Sequence, residues 1–334
     1  MMDRTDRYFR RLMRLISSHT LLYTEMVTCS AILHGDRDRL LGFDPIERPL
    51  ALQLGGDDPV ALRECARIAE ALGYDEVNLN VGCPSDRVQN GHFGACLMRT
   101  PERVGECVAA MRASVDLPVT VKHRIGVDEL DRYEDMLAFV DVVASAGCDR
   151  FTVHARKAWL HGLSPKQNRE VPPLRYPDVH RLARERPQLV VEINGGLREL
   201  DEVEAQLEHV DAAMLGRVAW DRPWMFVDAD RRMFDDAHEL PSRRDVVEAY
   251  LPELERWLAK AGPSPTALLR NLLNLYVGRP GTRRWKQALA QQCRSPTSLG
   301  ELAMLAAELD AIQVPPRNSV SGNEEPSATD REPE

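Results

Sequence analysis

The chain has 334 residues, 43% of them hydrophobic, with 43 Lys and Arg against 52 Asp and Glu and a net charge of −9 at pH 7. Such a composition belongs to a folded chain, and with no apolar run of about 18 residues it offers no candidate membrane-spanning helix. Single cores rarely outgrow ~250–300 residues, so the length suits one domain of about 230 residues plus a smaller one. The seven cysteines (29, 65, 83, 96, 107, 148 and 293) include no C-x-x-C pair and no disulfide-like spacing. A reducing, cytoplasmic setting without a membrane partner is therefore expected.

Taken in order, the chain opens in helix-like sequence from Asp3 to Ser17, with apolar Phe9, Leu12, Met13 and Ile16. Strand-length apolar runs follow near Leu21–Val27, Leu50–Leu54, Glu76–Val81, Val119–His123, Phe151–His154, Val190–Ile193 and Ala212–Leu215. They read as near-continuous apolar strands, as parallel strands buried on both faces should. Capped helices lie between them. Asp58-Pro59 opens one whose stripe is Leu62, Cys65, Ala69 and Leu72, ending at Gly73, and Thr100-Pro101 opens another. A third carries Met136, Leu137, Val140, Val143 and Ala144 and stops at Gly147. This alternation predicts an α/β fold, best fitted by a (β/α)8 TIM barrel over residues 1–235. Only seven strands are visible and a helix precedes the first. The expectation is that strand one is missing because this reading frame starts too late, leaving two unpaired edges.

After Phe234 the pattern becomes helical: Ser242–Lys260, Thr266–Tyr276, Arg283–Gln292 and Ser298–Ile312, a small all-α domain over 240–312. Arg256 to Gly300 holds eight basic residues and no acidic one, which reads either as a solvated helical face or as a polyanion-facing surface. Residues 317–334, with two Arg and five Asp/Glu, read as a disordered acidic tail.

In a (β/α)8 barrel the chemistry sits at the C-terminal strand ends. There the sequence offers Glu25, Gln53, Asn80 with Cys83, Lys122, His154, Asn194-Gly195-Gly196 and Gly216-Arg217. The last two follow the strands that usually build the barrel's phosphate site. Glycines there let backbone amides approach an anion, and a guanidinium suits its oxygens. No Rossmann or P-loop motif is present, and no spaced Cys/His set suggests a metal.

The most specific segment is Asn78-Leu-Asn-Val-Gly-Cys-Pro-Ser-Asp-Arg-Val-Gln-Asn-Gly-His-Phe-Gly-Ala-Cys-Leu-Met98. It resembles the active-site segment of the tRNA-dihydrouridine synthases, with Asn80, Cys83, Pro84 and Arg87 in register. A second segment, His154-Ala-Arg-Lys-Ala-Trp-Leu-His-Gly-Leu-Ser-Pro-Lys-Gln-Asn-Arg-Glu-Val-Pro-Pro-Leu174, is similar to the hallmark of the family's A-type branch. That branch modifies uridines 20 and 20a of the tRNA D-loop. The resemblance covers residues 1–312, and Met1-Met2-Asp3 resembles the end of the family's first-strand turn.

The resemblance implies FMN as cofactor, NADPH or NADH as electron donor, and tRNA as partner, with a monomer expected. Met1, Met2, Gln53, Lys122 and His154 would bind the flavin, and Asn194, Gly195, Gly196, Gly216 and Arg217 its phosphate. Asn80, Lys166, Arg169, Arg283 and Lys286 would contact tRNA. A fixed ammonium at Lys122 suits a reduced flavin, which carries negative charge near N1. Reduction delivers a hydride to C6 of uracil and a proton to C5, and Cys83 is the expected proton donor. An ordinary thiol is protonated at neutral pH and can serve as an acid. Cys96 lies in the same loop with a smaller claim to chemistry. Trp285, between basic residues, reads equally as a base-stacking platform or as helical core. Arg4 and His123 depart from the family's usual Trp and Thr and are expected to flank the flavin pocket. Two rival readings are a dihydroorotate dehydrogenase-like flavin reductase and a tRNA-binding protein that does not catalyse.

Overall fold

The computed structural model describes residues 1–260, 263–294 and 299–312, so the expected tail at 317–334 lies outside the described residues. The first helix, α1 (Arg7–Ile16), is capped by Asp6, whose carboxylate accepts the Phe9 N–H. The expected strand at 21–27 is split into β1 (Leu22–Tyr23) and β2 (Val27–Thr28), both pairing with β3 (Leu50–Gly55). Between β2 and β3 lie α2 (Cys29–His34) and α3 (Arg37–Leu41). The chain then alternates through α4 (Pro59–Leu72), β4 (Glu76–Val81), α5 (Asp86–Gln89), α6 (Pro101–Arg112), β5 (Val119–Arg124) and α7 (Tyr133–Ser145). It continues with β6 (Arg150–His154), α8 (Tyr176–Glu185), β7 (Val190–Asn194), α9 (Leu200–Leu207) and β8 (Ala212–Met214).

All pairings are parallel, in the order β1-β3-β4-β5-β6-β7-β8. Among the described residues no strand joins β8 to β1, so the sheet curls into an incomplete barrel and is not closed. The architecture is the expected α/β TIM-barrel type. Its strands differ from expectation in one respect. Val77, Leu79, Val81, Val119, Val121, Phe151, Val153, Val191 and Ile193 pack in one apolar cluster with the helices. The alternate residues instead interact across the sheet: Glu76 and Asn78 with Thr120, Asn80 with Gln53, Lys122 with Asn194, and Thr152 with Glu192, while Arg150 joins Glu76 and Glu192. Period-2 alternation thus makes the barrel interior polar; Glu76 and Glu192 are paired through Arg150, whereas Lys122 is held by the neutral Asn194 amide.

The remaining helices are α10 (Arg217–Asp221), α11 (Ala229–Phe234), α12 (Arg243–Leu258), α13 (Pro265–Leu269), α14 (Thr282–Arg294) and α15 (Gly300–Asp310). They form a second apolar cluster built on Tyr250, Leu254, Leu268, Trp285 and Leu309. Helix α1 packs into this cluster through Phe9, Leu12, Met13 and Ile16 and touches the barrel through a buried Arg10–Glu47 ion pair of 2.7 Å. Trp285 is buried and donates its indole N–H to the Leu272 carbonyl at 2.8 Å. The stacking-platform reading is therefore wrong, and Trp285 is core. Among the described residues no helix is long and apolar enough to cross a membrane.

Candidate active site

The C-terminal ends of β3, β4, β5 and β7 bring five of the expected residues into two hydrogen-bonded groups, Gln53–Asn80–Cys83 and Lys122–Asn194. On β4, Asn80 aims its amide oxygen at the turn that follows and accepts the Gly82 and Cys83 N–H groups at 3.1 and 3.0 Å. This holds Cys83 at the strand's mouth, partly buried, with its Sγ 3.5 Å from the Ser85 hydroxyl. The other face of the Asn80 amide donates to Gln53 Oε1 at 2.9 Å. Across the barrel, Lys122 Nζ donates to Asn194 Oδ1 at 3.0 Å, and Asn194 Nδ2 donates to the Met214 carbonyl at 2.7 Å.

Electrostatics follow from burial. Desolvation, helped by the Arg124 charge, pushes the Lys122 ammonium down to about 8, against the opposing pull of Cys83 and Glu192. It remains a cation at neutral pH. His154 is held well below its ordinary value by burial and by Arg124, Lys122, Arg156 and Arg217, so its ring is neutral. Its Nδ1 has no hydrogen-bond partner among the described residues. A buried nitrogen without a protein partner at a strand end is suited to contact a ligand.

The glycines beside it have a steric role. Gly195 and Gly196 have φ of +108° and +82°, a region that side chains disfavour. A Cβ on Gly195 would stand 3.0 Å from His154 Nε2, and one on Gly196 2.5 Å from Leu174. Met1 reaches the same rim, its sulfur 3.7 Å from where a Gly216 Cβ would stand, whereas Met2 is 53% exposed. Arg217 is exposed and pairs with Glu170 at 2.9 Å.

Arg124 went unnoticed in the sequence reading. It lies on the same face of β5 as Lys122, the period-2 signal that would have found it. Its buried guanidinium donates to the Gly82 carbonyl at 2.9 Å and to the Lys157 and Asn168 carbonyls at 3.1 and 2.9 Å. It ties the Cys83 turn to the long segment after β6. That segment is organised by Asn168, whose side chain accepts the Trp159 N–H at 2.7 Å and donates to the Trp159 and Leu163 carbonyls at 2.9 and 3.1 Å. Lys166 is consequently presented outward and Arg169 half-buried. Burial, with Arg217, lowers Arg169, while Cys83 acts in the opposite sense.

His123 does not flank the pocket. Strand alternation turns it outward, between Phe139 and Phe151 at ring separations of 5.0 and 5.8 Å. Arg4 stacks on Trp220 at 4.6 Å, and its backbone N–H donates to Glu25 at 3.1 Å. Cys96 has its thiol against the Phe93 carbonyl at 3.2 Å, and burial pushes its pKa up.

Arg283 and Lys286 are exposed on α14 and make no ion pair among the described residues. The basic block is less uniform than its sequence. Arg256 pairs with Glu253, Arg270 with Asp6 at 2.8 Å, and Arg284 with Glu308 at 2.8 Å, all acids from outside the block. Among the described residues no group of three or more His, Cys, Asp or Glu could hold a metal.

The cluster suits an anionic ligand. It has a buried ammonium, a histidine nitrogen without a partner and close-approach glycines beside an arginine. The Dihydrouridine synthase (Dus) family profile matches residues 1–312. A tRNA-dihydrouridine(20/20a) synthase of Synechocystis sp. is 54% identical over 308 residues, 92% of each chain. Proteins of the same name from Shewanella oneidensis and Escherichia coli are 50% and 51% identical, covering 92% and 87% of this chain and 91% and 84% of their own. By that match along nearly its whole described length, and by the site it carries, the chain belongs to the dihydrouridine synthase family.

Proposed function

We propose that this chain reduces uridines 20 and 20a of the tRNA D-loop to 5,6-dihydrouridine, with FMN as its flavin and NADPH as the electron source. The observation that carries this reading is the placement of Cys83 at the mouth of β4, held by Asn80 and facing a barrel end lined by Lys122, Arg124 and His154. Lys122 and neutral His154 would hold the isoalloxazine, with Gln53 at its edge. Residues 194–196, 216 and 217 would hold the phosphate. Bound there, FMN reduced by NADPH would supply the hydride for C6 of uracil. Cys83 gives its proton to C5 and is left as a thiolate, which takes a proton back from solvent. That thiolate would stand in the field of Lys122, Arg124 and Arg169, each of which the Cys83 charge draws toward its protonated form. Asn80 serves the turn, Lys166 and Arg169 reach tRNA from the segment after β6, and Arg283 and Lys286 reach it from α14.

Cys83→Ala tests the assignment. The variant should keep its flavin absorption and lose dihydrouridine formation by about 10²–10⁴-fold, the usual worth of a positioned acid. Flavin-loaded Cys83→Ala protein with unimpaired turnover would contradict it.

A further inference from the structure

A single file of hydrogen bonds runs down the inside of the barrel from the Cys83 turn to its opposite end. The Gly82 and Cys83 N–H groups donate to Asn80 Oδ1 at 3.1 and 3.0 Å, and Asn80 Nδ2 donates to Gln53 Oε1 at 2.9 Å. Gln53 Nε2 donates to Asn78 Oδ1 at 2.9 Å, Asn78 Nδ2 to Thr120 Oγ1 at 2.8 Å, and the Thr120 hydroxyl to Glu76 Oε1 at 2.5 Å. Tyr23 also donates to Glu76 Oε1, and Arg150 pairs with the same carboxylate. Gln53, Asn78, Thr120 and Glu76 are all buried.

Every donor in this file points the same way, and both ends require it. Backbone N–H groups at the top can only donate, and an ionised carboxylate at the bottom can only accept. The amide oxygen and nitrogen of Asn78, Gln53 and Asn80 are therefore assigned by chemistry alone. Flipping any one amide sets donor against donor and acceptor against acceptor at both of its neighbours. A buried series of this kind is also strengthened by mutual polarisation.

We infer that Glu76, at the N-terminal end of β4 and remote from the reacting atoms, is a positioning residue for the reaction. Through Thr120, Asn78 and Gln53 it fixes which end of each amide faces which neighbour. Asn80 is thereby left with its oxygen toward the Cys83 turn, and Gln53 presents one defined polarity to the ligand. The inference rests on the reading of Cys83 as proton donor and of Gln53 as a flavin contact.

Glu76→Gln is the direct test, but it leaves Arg150 with Glu192 alone, 3.4 Å away, and risks misfolding. Thr120→Val severs the file with little change of shape, and Thr120→Ser restores the hydroxyl. With flavin-loaded enzyme, Thr120→Val should lower kcat for tRNA reduction about tenfold or more, as expected when a reacting group is misplaced by a fraction of an ångström. The KM for tRNA should stay within about twofold, and Thr120→Ser should recover most of the loss. On a Cys83→Ala background, Thr120→Val should lower kcat less than it does in the parent enzyme, the remainder being the part transmitted through Gln53. If Thr120→Val lowers only the melting temperature and flavin loading, with kcat per bound flavin intact, the inference is overturned while Cys83 keeps its role. If Cys83→Ala is itself fully active, the proton-donor reading falls and the inference falls with it.

Discussion

Asn168 is the side chain on which the segment after β6 depends, and its removal has a calculable cost. It is fully buried, and Asn168→Ala deletes one accepted and two good donated hydrogen bonds, to the Trp159 N–H and to the Trp159 and Leu163 carbonyls. Each such bond contributes about 0.5–1.5 kcal/mol, and a backbone group left buried without a partner costs about 1–3 kcal/mol. Because the segment lies at the surface, its freed groups can recover some water, and about 3 kcal/mol is a fair total. Local opening then becomes roughly 10²-fold more frequent. The Asn168 carbonyl still accepts from Arg124, so the Cys83 turn keeps its brace. The expected result is a raised KM for tRNA, from disordering of Lys166 and Arg169, with flavin binding unchanged. Hydrogen exchange at the Trp159 amide provides the structural readout and steady-state tRNA reduction the functional one. Unchanged protection of that amide, together with an unchanged KM, would refute the claim that Asn168 builds this surface.

Three further outcomes follow from the geometry. His123, buried between Phe139 and Phe151, is lowered to about 4 chiefly by burial. Its unfolded value is higher, so the unfolded chain binds the extra proton between the two, and stability is lost as pH falls from about 6.5 to about 4. The loss amounts to about 3 kcal/mol, and acid unfolding followed by circular dichroism should flatten over that window in His123→Phe. Trp285→Ala should cost about 3–5 kcal/mol in thermal or urea unfolding, and Trp285→Phe much less. Lost tRNA affinity in Trp285→Phe without a stability change would restore the stacking reading. Arg283→Ala and Lys286→Ala should each weaken tRNA binding and lower the slope of log K against log salt by about 0.7–0.9. Unchanged slopes would remove α14 from the interface.

Much of this molecule could be read from its sequence because the informative signals are local. Capped helices between apolar strands predicted the barrel, and the Gly-Cys-Pro turn after β4 placed Cys83 at its mouth. The barrel interior escaped notice for a different reason. Parallel strands are expected to be apolar on both faces, yet Glu76, Asn78 and Asn80, then Thr120, Lys122 and Arg124, recur at period 2. The same period points His123 away from the pocket. Other features depend on partners distant in sequence. Asp6, Glu253 and Glu308 temper a block that looks wholly basic, and α1 buries its apolar face against α12 rather than the sheet. No local pattern encodes those pairings.

The most direct test of the central claim is to incubate the purified protein with NADPH and an unmodified tRNA and to map dihydrouridine along the chain. The account predicts dihydrouridine at positions 20 and 20a, formed only when NADPH is present. Its absence from every uridine, under conditions where the protein is folded and carries flavin, would contradict the account.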